Sequence, residues 1–169
     1  GSEPALLAEA YTRQAFLRGS GRAEPASKAR AAVSRALELD PDLAEAHAAL
    51  GSVLFYFEWD WTGAEAEFKR ALALNPGSQT VQEEYGNFLI AMGRLDEGLA
   101  HSREASLLDP LSVGPVHDIG INFMARGDFE QSAASFRRAI EIDPNWTRGY
   151  IKLARALALG KKCPEAMAK

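Results

Sequence analysis

The chain has 169 residues, 47% hydrophobic and 25% charged, with a net charge of −4 at pH 7 and a pI near 5.4. That size and balance describe one globular domain, neither disordered nor membranous. The acidic balance and the lack of a basic stripe exclude a typical nucleic-acid binder, and no apolar run approaches the roughly 18 residues of a membrane span.

From the N-terminus, Gly1 and Ser2 read as a tag remnant, and GSEPALLAEA lacks the basic and apolar regions of a signal peptide. A single cysteine, Cys163, forms no internal disulfide and belongs to no zinc framework, so the expected location is cytoplasmic. Apolar spacing predicts helices near 4–18 and 25–39, joined by a Gly-rich link at 19–23. Helix pairs follow at 43–57 and 62–74, at 78–92 and 95–108, and at 112–126 and 129–142. A last helix is expected at 146–160, with 161–169 starting a second that is cut short. With no strand pattern, the fold class is all-α.

Four segments end alike: ALELDP at 36–41, ALALNP at 71–76, ASLLDP at 105–110 and AIEIDP at 139–144, with prolines 35, 34 and 34 residues apart. Small residues recur seven positions before these alanines, at Ala29, Ala64, Gly98 and Ser132. A second series reads Leu50-Gly51, Tyr85-Gly86, Ile119-Gly120 and Leu153-Ala154. Small residues let a partner helix approach, Leu, Tyr and Phe fill the space around them, and each Asp/Asn-Pro stops a helix. The pattern resembles the tetratricopeptide repeat, with its 34-residue W-x2-L-G-x2-Y…A-x3-F…A…P signature. That resemblance covers nearly the whole chain and implies a right-handed α-solenoid: one domain over 1–169, with a divergent first repeat at 3–42 and regular repeats at 43–77, 78–111 and 112–145. Residues 146–169 form a truncated last repeat or a capping helix.

Within the first regular repeat, GSVLFYFEWDW (51–61) gathers five aromatics in seven positions. Two other repeats turn at a glycine, Gly93 or Gly127, whereas here the turn is one residue longer and Trp59 replaces the glycine. Trp61 aligns with Leu95 and Phe129, core positions, and Leu54 and Phe57 fall on the buried side. Most of the run is therefore expected to be core. Trp59 and Tyr56 are candidate partner contacts, with turn packing as the alternative for Trp59.

The residues show no reaction centre. His47, His101 and His117 lie in separate repeats, His47 packing where the signature has Trp and His101 among solvated residues. No metal site, cofactor loop or nucleophile–base pair is expected, and the chain is read as a non-enzyme.

The resemblance also implies that first helices line a concave groove binding a peptide or protein. The positions carried over include Glu83, Asn87, His117, Asp118, Met124, Arg148, Lys152 and Arg155. Glu83 and Asp118 stand where a clamp for a C-terminal carboxylate needs Lys and Asn, so that ligand is rejected. The alternative reading is a structural or self-association segment of a larger, bacterial regulatory protein. It rests on the apolar last helix (Tyr150, Leu153, Ala156, Leu157, Leu159), which would dimerise or meet a downstream helix.

Overall fold

The structure is a computed structural model that describes Ala10 and residues 23–167, with side chains from 24 to 160 apart from Pro25. All regular structure among the described residues is helical: α1 (Ala23–Leu39), α2 (Ala44–Val53), α3 (Trp61–Leu74), α4 (Gln79–Ala91), α5 (Leu95–Leu108), α6 (Val113–Ala125), α7 (Phe129–Ile142) and α8 (Thr147–Met167). Of the helix expected at 4–18, only Ala10 lies within the described residues, and it is helical.

The helix stops follow from Asp and Asn before proline. The N–H groups of Asp40, Asn75, Asp109 and Asp143 donate to Ala36, Ala71, Ala105 and Ala139 at 2.9 to 3.1 Å, closing the last turn. Proline then supplies no N–H and fixes its own φ, so the helix cannot continue. At three of the four stops the Asp side chain accepts from the N–H two residues on, from Asp42, Leu111 and Asn145. These side chains complete the turn before the next helix begins. Asp60 and Asp128 cap the starts of α3 and α7 by accepting from the N–H groups of Gly63 and Gln131.

The chain divides into two compact units, Gly1–Phe88 and Leu89–Lys169. In the first, α1 packs on α2 and α2 on α3. Ala29, Val33 and Val53 form one apolar cluster, flanked by Leu50 and Phe57. An aromatic group adjoins it: Phe68 lies 5.7 Å from Tyr85 and 5.4 Å from Phe88, and Phe55 meets Phe88 edge-on at 5.3 Å. In the second unit α5–α6, α6–α7 and α7–α8 pack in sequence order, and α6, α7 and α8 meet around Ala133, Phe136 and Ala156.

The recurring small residues do what their spacing implies. Ala29, Ala36, Ala64, Ala71, Gly98, Ala105, Ser132 and Ala139 are all buried. A Cβ on Gly120 would stand 2.7 Å from Phe136, and one on Gly51 3.0 Å from Phe68, so the ring of the second helix occupies the space a side chain would need. Ser132 adds a direct tie, donating to the Gly120 carbonyl at 2.8 Å. Ala154, the matching position on α8, is exposed, because among the described residues no second helix packs against it.

The extra residue of the 35-residue spacing is absorbed as a π-helical turn over Leu54–Glu58. The regular turns close by Arg94 N–H to Leu89 O and Asp128 N–H to Phe123 O, five residues back, while Asp60 N–H reaches Leu54 O, six back. Trp59 sits in the left-handed conformation (φ 58°) that Gly93 and Gly127 adopt at φ 78°.

Two expectations are corrected. Trp61, expected in the core, is 50% exposed, since the widened turn lifts it out of the register that Leu95 and Phe129 hold. And α8 does not stop near 160: its backbone stays helical to Met167, because nothing at 160–163 supplies the Asp-Pro turn used elsewhere.

Candidate functional site

In the first unit the carried-over positions lie on α2, its π turn and α4. Ser52 donates to Glu84 at 2.7 Å and Ser78 to Glu45 at 3.0 Å, so the inner polar residues of α2 are tied to the next repeat. Glu83 accepts from Gln79, and Asn87, one turn further along α4, is half-buried. Tyr56 is half-buried with its ring 4.6 Å from that of Phe55, whereas Trp59 is 70% exposed. Of the two, Trp59 projects into solvent.

In the second unit His117 and Asp118 are coupled, Nδ1 to Oδ1 at 2.9 Å. The His117 ring also meets Trp146 edge-on at 5.2 Å, and Asp118 is buried, so both are held in packing more than presented. Met124 lies against the Ala133–Phe136–Ala156 cluster. The accessible group is on α8: Arg148 and Arg155 exposed and Lys152 half-buried, at spacings of four and three. Among the described residues no carboxylate lies within salt-bridge distance of these three cations. By contrast Arg126 is tied to Asp96 at 2.8 Å and Arg94 to Glu97.

Two features escaped sequence reading. The first is a repeated tie to the proline carbonyls. His47 Nε2 lies 2.9 Å from Pro41 O, Gln82 Nε2 donates to Pro76 O at 2.7 Å, and Tyr150 Oη donates to Pro144 O at 3.1 Å. Each residue lies six positions after its proline, and the bond satisfies a carbonyl that the broken helix leaves open. His47 Nδ1 also meets Glu67 Oε2 at 2.6 Å, a structural role for this histidine. The constant offset from the proline was the available signal. The second is His101, expected among solvated residues but half-buried. Burial lowers its pKa from the usual 6.5, with Glu97 opposing and Arg94 reinforcing the shift.

Among the described residues no group of three His, Cys, Asp or Glu side chains could hold a metal ion, and no helix is long and apolar enough to cross a membrane.

Comparison with known proteins agrees with this geometry. A tetratricopeptide repeat family model matches residues 117–169. The type IV pilus assembly protein PilF of Pseudomonas aeruginosa is 29% identical over 132 residues, covering 77% of this chain and 52% of PilF. The cellulose synthase operon protein C of Pseudomonas fluorescens is 28% identical over 163 residues, covering 85% of this chain and 13% of that protein. The chain thus spans about half the length of the first relative and far less of the second. Solved structures share its fold: P. aeruginosa PilF at TM-score 0.72 (24% identity, 95% of this chain, 72% of that one) and PilW, a type IV pilus biogenesis factor, at 0.75 (24% identity, 98% and 74%). MamA matches at 0.64, with 17% identity over 84% of this chain and 88% of that one. The 34-residue period, the buried small positions and these matches together show an all-α solenoid of tetratricopeptide-type helix pairs, with the tetratricopeptide repeat family model itself matching residues 117–169.

Proposed function

We propose that this chain is a non-enzymatic scaffold that holds a segment of another protein on the first helices of its repeats. Tetratricopeptide repeat proteins are generally non-catalytic scaffolds, and the relatives' names, pilus assembly and pilus biogenesis, describe work of that kind. One observation carries the reading: α8 presents Arg148, Lys152 and Arg155 along one helix, with no carboxylate within salt-bridge distance among the described residues. Most other exposed cations among the described residues have a carboxylate within salt-bridge distance, as Lys69 has Glu65 at 2.9 Å, although Arg103 and Arg137 have none. Three unanswered cations suit an acidic stretch of a partner, whose charge would steer the encounter and fix its register. On α4, Glu83 and Asn87 supply a contact of the opposite character.

The test is a paired charge reversal, Glu83→Lys with Lys152→Glu, followed by quantitative comparison of the proteins that co-purify with each form from the native cell. A partner retained by the parent chain should fall at least tenfold. Unchanged recovery of every partner contradicts the reading.

A second reading is self-association through α8, favoured by the exposure of Tyr150 (50%), Ile151 (64%) and Leu157 (39%). Light scattering over a range of concentrations separates the two. A dimer that Ile151→Glu abolishes supports self-association, and a monomer throughout removes it.

A further inference from the structure

Trp59 and Trp61 are 70% and 50% exposed, on either side of Asp60. Packing does not account for Trp59. Its backbone is left-handed, which an L-residue adopts at a cost and glycine adopts freely. The two regular turns use glycine at this place, Gly93 and Gly127, with open space around each Cα. A large aromatic held in a disfavoured conformation and turned toward solvent gives up stability for a surface.

Two carboxylates adjoin the rings in sequence, Glu58 and Asp60, while Glu65 and Glu67 further along α3 are answered by Lys69 at 2.9 Å and His47 at 2.6 Å. The chain already places one guanidinium here, with Arg30 3.2 Å from Glu58. Indole faces attract cations, and Arg most often, when the charge lies within about 6 Å of the ring. Carboxylates beside the rings add to that attraction, and they oppose the anionic surface of a lipid bilayer.

We propose that the Glu58-Trp59-Asp60-Trp61 turn is a docking site for an arginine- or lysine-bearing segment of a partner protein. It deepens the protein-binding reading and rests on it, adding a second contact of opposite charge preference to α8.

The chain's three tryptophans give three indole N–H resonances, and Trp146, packed against His117, serves as internal control. The probe is acetylated, amidated tetra-arginine, titrated into nitrogen-15-labelled chain, with tetra-glutamate for comparison. The arginine peptide should shift the Trp59 and Trp61 resonances saturably, leave Trp146 in place, and weaken with added salt, and the glutamate peptide should shift none. Trp59→Gly should raise the thermal unfolding midpoint, because it relieves the turn, while weakening the peptide response of Trp61 at least tenfold. Trp59→Asn, whose side chain also tolerates this backbone, keeps the test open if the glycine variant folds poorly.

No shift at millimolar peptide overturns the proposal. So does equal binding by both Trp59 variants, or shifts caused by phosphatidylcholine vesicles and not by the peptide. Failure here with loss of a partner on reversing Glu83 and Lys152 leaves the scaffold reading standing. Failure of both removes it.

Discussion

The closest approach between helices is made by single residues. The ring of Phe136 fills the space a side chain on Gly120 would take, and adding one methyl there forces that ring or the helix to move. Gly120→Ala should therefore cost about 1–3 kcal/mol in urea unfolding. Ala154→Ser, at the matching but exposed position of α8, should stay within about 0.5 kcal/mol. His101 makes a second prediction. Its folded pKa lies below the usual 6.5, so the unfolded chain binds the proton more readily. Its contribution is fully present above about pH 6.5 and is lost as pH falls through the folded value. His101→Asn should flatten that part of the stability–pH curve, read from urea midpoints between about pH 5 and 7.5. The small positions were legible in the sequence because they recur at fixed spacing. The burial of His101 was not, because Arg103 and Glu104 beside it are exposed and mask the half-buried ring.

Helix ends in this chain are set by short polar signals that the sequence displays openly. Asp40, Asp109 and Asp143 stop helices with both backbone and side chain, and Asp60 and Asp128 start them. Asp128→Ala should lower stability by about 1 kcal/mol. The equivalent Arg94→Ala should cost less, since Arg94 makes no cap bond and pairs with Glu97 on the surface. Asp-Pro pairs are why the expected and observed bounds of α5 and α7 coincide. The turn at Leu54–Glu58 shows the limit of such reading. One inserted residue was visible as a 35-residue spacing, but its accommodation as a π turn, and the exposure of Trp61 that follows, depend on backbone hydrogen bonding that no residue type announces.

In a chain of repeats each helix pair contacts only its neighbours, so stability accumulates locally and surfaces are left free along the length. Within each unit the helices do pack in sequence order. That architecture was readable from period alone, whereas the first helices as presenting elements are implied by the family resemblance and belong to the proposal. The particular residues were less readable. Asp118 and Met124 look outward by repeat position, yet one is buried and the other packs on the core, while Arg148, Lys152 and Arg155 remain accessible. The most direct measurement is site-specific photo-cross-linking in the native cell. A photoreactive residue would stand at Asn87 or Lys152 on first helices, and at Glu104 or Arg137, both exposed, on second helices. First-helix positions should capture a discrete protein and second-helix positions none. Capture from Glu104 or Arg137 alone would contradict the assignment of binding to the first helices.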